Sequence, residues 1–464
     1  MKNNICKRKL LLVLLIISIF LCFSAFTSAE CLQLNTLLSG ENEIPVCVTV
    51  SSPAFHILSG YGENRCEELN RLLKHFSVAF ILSGNETETA VSIDSEQAFS
   101  FCESLDNDKL ITIYSFNPDK VYYTPADQAL KEDSMNSFLD RQFFRINRLM
   151  DDLYPLFEKT AVSFPDLSGT EKVSLNFRKF GKAVRRLTIR FSSAYVKDCF
   201  PRVLCDLTDS AECRLFLNQL FFDGPQRIIL LFDAEDRLIR VGYDGSVGLA
   251  PESLRKVSIN WKCLRIQDQK MDDITLKSPA VKGYDKYNMS FSRELDLTDP
   301  EQHMLSWNFE LDLKSGDIRK KIQFVTELKT ADETLTGKSS YVQKQDGREE
   351  KTEIIPSIKK ENDKEYNGLL EITNYSGKIM NSRMETRLHI SACDPVKIPE
   401  NKLLTAINSE SSDRQRTEND LRFMLSSILI HKLISLPQED IQFLRKDIPE
   451  ETWSTITNSL FLGR

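Results

Sequence analysis

Residues 304–329, MLSWNFELDLKSGDIRKKIQFVTELK, alternate apolar and polar side chains in two long stretches that meet at Ser315-Gly316. A period of two places successive side chains on opposite faces of an extended strand. The segment therefore predicts two long antiparallel strands joined by a short turn, with one apolar face and one polar face.

Turn signals continue on both sides of this segment. They fall at Asp299-Pro300, Ser315-Gly316, Ala331-Asp332, Asp346-Gly347, Asn362-Asp363, Ser376-Gly377 and Asp394-Pro395. Their regular spacing of 14 to 18 residues predicts an antiparallel meander, because antiparallel neighbours need only short connections. Each strand should contain about a dozen residues and extend for roughly 40 Å at about 3.3 Å per residue.

The apolar side of the second and third strands of this meander carries the candidate ligand-binding residues. They are Trp307, Phe309, Leu311, Ile322 and Phe324. The opposite side carries charged residues such as Glu310 and Lys321, so we expect one face to be solvated and the other to be covered.

The first 29 residues have the features of an export signal. Lys2, Lys7, Arg8 and Lys9 precede an uncharged apolar run that ends near Phe26, and small residues follow at positions 27–29. The apolar run is slightly shorter than a comfortable membrane span, so an uncleaved anchor is the alternative interpretation. We expect an extracytoplasmic protein, secreted or associated with the cell envelope.

Charge restricts the partners that the mature chain can bind. Loss of the leader removes four positive charges and changes the formal net charge from −7 to about −11. An acidic chain without a dense basic patch is a poor ligand for nucleic acid. No second apolar stretch is long enough for a helical span, so we expect no transmembrane span beyond the leader, and a lipid or an envelope component as partner.

The remaining chain is predicted to be α+β, with a curved antiparallel meander covered by helices and a smaller N-terminal α+β domain. Residues 30–165 form that domain and end in the amphipathic segment FLDRQFFRINRLMDDLYPLF. Residues 166–395 contain a strand, helices, a hairpin and the meander. Residues 396–464 form a polar connector followed by apolar helices, which are expected to cover the apolar face.

The cysteines of the mature chain fall into two groups and one isolated residue, Cys393. The candidates for local disulfides are Cys31, Cys47, Cys66 and Cys102 in the first group and Cys199, Cys205, Cys213 and Cys263 in the second. An exported chain favours disulfides, although buried free thiols are the alternative. The spacing of Cys199, Cys205 and Cys213, with no histidine nearby, does not favour zinc.

No sequence motif indicates catalysis, so we expect no enzyme activity, cofactor or metal site. Gly337-Lys338-Ser339 matches the end of a phosphate-binding loop, but the glycine required five positions before Gly337 is Asp332. The five histidines stand far apart, and neither a zinc-binding helix nor a nucleophile elbow is present.

The hairpin segment RIILLFDAEDRLIRVGYDG (227–245), the strand and helices before it and the long meander resemble extracytoplasmic carriers of the LolA and LppX type. The resemblance covers at most residues 170–395 and includes no identifying motif. It implies a curved antiparallel sheet, closed by helices, whose concave apolar face holds acyl chains or another lipid.

Three hypotheses for function follow. The first is a non-enzymatic exported protein that binds a lipid or another apolar ligand on the covered face of the sheet. The second is a structural or interaction module of the cell envelope, in which the covering elements fill that face. The third, a hydrolase of an extracellular polymer, requires a polar cleft with clustered carboxylates.

Overall fold

A computed structural model of the chain describes most of the region between residues 45 and 394 and a few residues beyond it. The described ranges are 45–83, 86–106, 109–117, 121–125, 146–209, 211–218, 220–248, 254–266, 268–278, 286–299, 302–315, 318–362, 364–394 and 404–406, with 420, 423–425, 427–428, 431–432, 435–440 and 442 near the C-terminus. The predicted signal peptide, Cys31 and most of the predicted C-terminal helical region lie outside these residues.

Antiparallel strands dominate the fold. About 67% of the structure is strand and about 19% is helix, so the predicted α+β class with helices covering the sheet is wrong. The reason is that long strands extend through the regions on both sides of the predicted meander, whereas most of the described helices contain only 6 to 11 residues. The exception is one helix of 18 residues.

The chain divides into two compact units. The first comprises residues 1–144, 358–371 and 382–464, and the second comprises residues 145–357 and 372–381. Three strands contribute residues to both units: β17 (Arg348–Asn362), β18 (Glu365–Ser376) and β19 (Ile379–Ala392).

In the first unit, the part that the structure describes consists mainly of antiparallel strands, with helix α1 near its start. Its elements are β1 (Val46–Leu58), α1 (Glu63–Leu73), β2 (Phe76–Ser83), β3 (Glu86–Ile93), β4 (Glu96–Asp106), β5 (Lys109–Tyr114), β6 (Val121–Pro125) and β20 (Leu404–Ala406). Strand β1 pairs with β19 on one side and with β2 on the other. Strands β2 to β6 then pair in chain order, and β20 joins β6 in parallel.

Helix α1 is fixed to β1 by its apolar face and by one polar side chain. Cys66, Leu69, Leu72 and Leu73 recur at helical spacing and are buried. Asn70 accepts a hydrogen bond from the Phe55 amide over 2.6 Å and donates one to the Phe55 carbonyl over 2.9 Å. This side chain satisfies backbone groups of β1 next to the irregular register at Phe55.

Besides its parts of β17, β18 and β19, the second unit contains ten strands among its described residues, each antiparallel to the next along the chain. They are β7 (Ser168–Phe177), β8 (Gly181–Phe191), β9 (Phe221–Phe232), β10 (Leu238–Gly248), β11 (Arg255–Ile266), β12 (Gln269–Ser278), β13 (Lys286–Asp299), β14 (Gln302–Ser315), β15 (Ile318–Ala331) and β16 (Thr334–Gln345). The helices of this unit are α2 (Ile146–Ser163), α3 (Ser193–Asp198), α4 (Phe200–Asp206) and α5 (Ala211–Asn218), with a 3₁₀ turn at Pro165–Leu167.

The strand lengths predicted from the turn signals are confirmed. Strands β13 to β19 contain 12 to 15 residues each. At the turn between β16 and β17, Asp346 and Gly347 have φ angles of 49° and 81°. Positive φ at both central residues matches the right-handed twist of the flanking strands, which explains the Asp-Gly signal at this turn.

Candidate functional site

The five residues predicted to share an apolar face come together on β14 and β15. Phe309 lies directly opposite Phe324, and Leu311 lies opposite Ile322. The Trp307 and Phe324 rings are stacked with their centroids 4.3 Å apart. The alternation in the sequence therefore placed these side chains on the correct face of each strand.

These five side chains are packed and closed to solvent. Their exposed fractions lie between 0% and 6%. A water-filled cavity beside them would raise these fractions, because the inner surface of such a cavity is accessible to water. The neighbouring strand extends the packing, since the Phe291 ring lies 6.3 Å from that of Trp307. This part of the face is therefore filled by protein.

A buried polar row crosses the same face of the sheet, and we name it the polar row. It consists of Asp272, Arg293, Thr326 and Ser339 on β12, β13, β15 and β16. Asp272 lies opposite Arg293, and Thr326 lies opposite Ser339. The Thr326 hydroxyl donates to the Ser339 hydroxyl over 3.0 Å, and Trp307 lies between the two pairs. The covered face is thus not uniformly apolar.

Asp272 accepts hydrogen bonds from side chains on two neighbouring strands. Trp261 Nε1 and Arg265 Nη2 each donate to Asp272 Oδ1 over 2.8 Å. Arg293 Nε donates to Asp272 Oδ2, also over 2.8 Å. A buried carboxylate is tolerated only when such donors replace water, and here both oxygens are occupied.

Helix α2 completes this network with Asp151. Arg293 Nη2 donates to Asp151 Oδ1 over 2.7 Å, and Nη1 approaches Oδ2 at 3.3 Å. Arg265 and Lys270 lie 3.7 Å and 3.6 Å from the Asp151 oxygens. Two carboxylates thus share three cations, and the network fixes α2 to β11, β12 and β13.

Aromatic contacts support the position of α2. The rings of Tyr154 and Phe157 make T-shaped contacts with the Trp261 ring, at centroid distances of 6.4 Å and 5.9 Å. The Tyr154 hydroxyl donates to the Leu238 carbonyl over 3.3 Å, and the Arg265 guanidinium lies 5.0 Å from the Tyr154 ring centroid. Ionic and aromatic contacts therefore hold successive turns of the helix.

The surroundings of Asp151 and Arg293 favour the charged forms of both groups. Burial alone would raise the pKa of Asp151, but the charge and hydrogen bonds of Arg293 outweigh burial and lower it. Burial acts to lower the pKa of Arg293, yet Asp272 and Asp151 raise it. A carboxylate held ionised and fully hydrogen-bonded is poorly suited to general acid or base catalysis. The arrangement serves positioning rather than proton transfer.

Sequence reasoning missed this network, although one signal for it was present. The sequence gives β13 an apolar side through the alternating residues Tyr287, Met289, Phe291, Leu295 and Leu297. Arg293 has the same parity and occupies the gap in that series. An arginine at an apolar position of an alternating strand indicates a buried partner, and that partner is Asp272.

The predicted disulfides are not formed among the described cysteines. The described cysteines that are not in a disulfide are Cys47, Cys66, Cys102, Cys199, Cys205, Cys213, Cys263 and Cys393. Strands β2 and β3 separate Cys47 from Cys102, a distance of roughly 14 Å at about 4.8 Å per strand. A disulfide needs Cα atoms within about 7 Å, so Cys47 and Cys102 cannot form one in this fold.

The part of the chain that the structure describes contains no group of three or more histidine, cysteine, aspartate or glutamate residues suited to holding a metal ion. None of the helices in that part is long and apolar enough to cross a membrane.

Comparisons with known proteins give similarity to solved structures alone. No protein-family model matches the sequence, and neither does any curated protein. OmpT, an outer membrane protein of Vibrio cholerae, is 6% identical, with a TM-score of 0.23 over 75% of this chain and 96% of that chain. The outer membrane channel DcaP of Acinetobacter baumannii is 6% identical, with a TM-score of 0.25 over 75% and 94%. OccK3 (OpdO) of Pseudomonas aeruginosa is 5% identical, with a TM-score of 0.26 over 76% and 96%.

The prediction of no transmembrane span beyond the leader is not supported, because it considered only apolar helices. TM-scores near 0.25 are too low to transfer an activity to this chain.

Proposed function

We propose that this chain is a non-enzymatic protein of the cell envelope that serves as a structural or interaction module. The observation that carries the proposal is the closed packing of Trp307, Phe309, Leu311, Ile322 and Phe324. A sheet whose covered face is filled by its own side chains acts as a rigid support, and contacts with other molecules then fall to its outer surface.

The ionic network supports the same proposal. Arg293 and Asp272 are buried in the sheet, and Asp151 connects them to α2. A ligand entering between α2 and the sheet would have to separate these charges, and an unpaired buried charge is strongly unfavourable. The network thus favours a permanently closed face over one that opens for a ligand.

Lipid analysis of the purified protein tests this proposal. The mature chain would be purified without detergent and its extract examined by mass spectrometry, with titration of a fluorescent fatty acid in parallel. We expect no stoichiometric lipid and no saturable uptake of the fatty acid. Recovery of one lipid per chain would contradict the filled face.

A matched variant shows that the titration can detect binding. Phe324→Ala removes a fully buried ring and should leave an apolar cavity, which small apolar probes such as benzene can enter. Saturable uptake of the probe by this variant, with none by the unaltered chain, is the expected pattern. Leu328→Ala, four residues further along the same face, is the alternative if Phe324→Ala does not fold.

Fractionation tests the compartment. The chain with its leader should sediment with the envelope fraction of the producing cells. Recovery mainly in the culture medium would contradict an envelope role while leaving the packing of the sheet untouched.

Binding of an apolar ligand on the covered face is the second candidate. The observation that favours it is that all five predicted residues do lie together on one side of β14 and β15. The resemblance of residues 170–395 to LolA- and LppX-type carriers gives the same expectation. A bound acyl chain would displace the stacked rings of Trp307 and Phe324, so a ligand-dependent change in Trp307 fluorescence would favour this candidate.

A further inference from the structure

Basic side chains gather on one side of the second unit, near one end of β8 to β12. Directly paired residues of neighbouring strands lie on the same side of a sheet. One such row across β8, β9, β10, β11 and β12 is Arg190, Arg227, Asp244, Ser258 and Lys277. Lys256 lies two positions before Ser258 on β11 and therefore faces the same side. We name Arg190, Arg227, Lys256 and Lys277 the basic patch.

The basic patch lies on the side of the sheet opposite the covered face. The residues that alternate with it in β8 to β11 are buried on the covered face, and they are Ile189, Ile228, Tyr243 and Val257. The four basic residues themselves are exposed. The patch is therefore open to solvent.

Positive charge is in excess within the patch. Arg190 and Arg227 are directly opposite each other, and like charges at such positions destabilise a sheet. Arg227 pairs with Asp244, whereas Arg190, Lys256 and Lys277 form no ion pair in the part of the chain that the structure describes. An anionic partner would offset this repulsion.

The carboxylates beside the patch do not balance it. Asp244 belongs to the row that carries Arg227, and Asp223 belongs to the next row, where it lies opposite Ser246 and Ser246 lies opposite Lys256. Among their described residues, these two rows contain four cations and two carboxylates. Exposed charges interact over about 10 Å at 0.1 M salt, so negative charge elsewhere on the chain does not cancel the patch.

The width of the patch indicates several anions rather than one. Neighbouring strands lie about 4.8 Å apart, so Arg190 on β8 and Lys277 on β12 are separated by roughly 19 Å. A single small anion cannot contact cations spread over this distance. An array of phosphate groups can.

An exposed aromatic ring borders the basic patch. Phe221, at the start of β9, is 43% exposed and lies opposite Gly248, two positions beyond Ser246. The next ring, Phe222, packs against buried Phe200 with the centroids 5.0 Å apart, so alternation turns Phe221 to the side of the patch. Basic residues combined with an exposed apolar ring are typical of surfaces that bind anionic membranes.

We propose that the basic patch docks this chain on a bilayer that contains anionic phospholipid, with Phe221 inserted among the headgroups. The four cations contact lipid phosphates, and the ring contributes buried apolar area. The proposal rests on the envelope role proposed above and names a lipid surface as the partner of that module. Docking uses the outer surface of the sheet, so the covered face stays closed.

Co-sedimentation of the full mature chain with vesicles tests the proposal. The vesicles contain phosphatidylcholine with phosphatidylglycerol, and vesicles of phosphatidylcholine alone are the reference. We expect binding to the anionic vesicles at low ionic strength and its loss at high salt, because salt screens exposed charges. Binding to neither kind of vesicle, or equal binding to both, would overturn the docking.

Double charge variants locate the contact. Arg190→Gln with Lys277→Gln should lower the affinity for anionic vesicles at least tenfold. The matched control is Lys179→Gln with Lys338→Gln, which removes the same net charge from exposed positions elsewhere in the second unit. It should change the affinity less than twofold. Equal losses in the two double variants would show a response to net charge alone and would overturn the patch.

Phe221 distinguishes a lipid surface from a soluble polyanion. Phe221→Ser should weaken binding to anionic vesicles at least threefold, whereas Phe423→Ser, which alters a 65% exposed ring in the first unit, should leave it unchanged. Binding of soluble polyphosphate without sedimentation on vesicles would assign an anionic polymer and overturn the lipid contact. If the chain fractionates with the envelope but does not bind the vesicles, the docking alone is overturned and the proposed function stands.

Discussion

Asp272 and Arg293 face each other directly across β12 and β13, and their side chains are 0% and 3% exposed. Arg293 Nη2 lies 2.7 Å from Asp272 Oδ2. Burying a salt bridge this deeply removes both charges from water, which is unfavourable. The pair is therefore stable only while both partners and their other hydrogen bonds remain. The pair therefore sets the position of α2 on the sheet, through Asp151, more than it adds net stability.

Removing one partner of this pair should be strongly destabilising. We expect Asp272→Asn to lower the free energy of unfolding by about 3–5 kcal/mol, because it leaves Arg293 incompletely neutralised in the interior. Denaturant unfolding followed by tryptophan fluorescence measures this loss. The matched control is Glu310→Gln, in an exposed pair with Lys321 whose side chains are 37% and 45% exposed, and it should cost less than about 1 kcal/mol.

Replacing both partners by apolar residues should restore much of that loss. The double variant Asp272→Leu with Arg293→Met removes both charges, so no unpaired ion remains in the interior. We expect it to be more stable than Asp272→Asn in the same denaturant experiment. Equal destabilisation of the two variants would mean that the network acts mainly through packing.

The filled apolar face predicts a large cost for truncating its central ring. Phe324→Ala should lower the free energy of unfolding by about 3–5 kcal/mol, because the side chain is fully buried and stacked on Trp307. Val325→Ala, on the opposite side of the same strand and only partly buried, should cost distinctly less. Similar costs for the two variants in denaturant unfolding would contradict closed packing around Phe324.

The strand pattern of the meander could be predicted from the sequence because its two determinants are local. Turn residues at regular intervals fixed the strand lengths, and alternation fixed the face of each side chain. Parity placed Trp307 and Phe324 on the apolar sides of their own strands, and the register that pairs Phe309 with Phe324 follows from the short turn at Ser315.

The remaining features depend on contacts between distant residues. Asp151 and Arg293 are 142 positions apart, so no local pattern connects them. The cysteines suggested local disulfides, but Cys47 and Cys102 lie on strands that are not neighbours. The predicted α+β class failed because apolar strands on both sides of the meander were given too little weight relative to apolar helices.

The cysteine thiols should react with an alkylating reagent in an order set by their burial and their pKa values. Burial raises the pKa of Cys263, and it raises the pKa of Cys213 to about 11. Both residues are also fully buried. Because the thiolate is the reactive form, we expect iodoacetamide at pH 8 to label partly exposed Cys199 well before either of them.

Peptide mass spectrometry over time measures this order. All three cysteines should react rapidly once the chain is denatured without reductant, which serves as the control for free thiols. Failure of Cys213 or Cys263 to react in denaturant would indicate a disulfide in the exported protein. Rapid labelling of Cys263 in the native chain would contradict its burial.

His75 in the first unit joins α1 to a segment near the C-terminus. It follows α1 and lies between two carboxylates, with Nδ1 hydrogen-bonded to Asp94 and Nε2 3.1 Å from Asp440 Oδ2. Arg71 Nε donates to the other Asp440 oxygen over 2.8 Å, and Arg71 also pairs with Glu439 at 3.3 Å. The buried Asp440 carboxylate thus has one permanent cation and one that titrates.

Docking of the segment that carries Asp440 should therefore weaken as the pH rises. Burial acts to lower the pKa of His75, but Asp94 and Asp440 outweigh burial and raise it above the usual value of about 6.5. A raised folded-state pKa gives stabilisation that is complete below about pH 6.5 and is lost as the pH passes the folded-state value. Limited proteolysis should therefore cleave the chain near Asp440 faster at pH 9 than at pH 6. The rates are divided by those measured on denatured chain at the same pH, which corrects for the pH dependence of the protease. After this correction, the His75→Gln variant should be cleaved at the same rate at both pH values.

An NMR titration checks the cause of this pH dependence. Asp94→Asn should lower the pKa of His75, and an unchanged pKa would remove the carboxylates from the explanation.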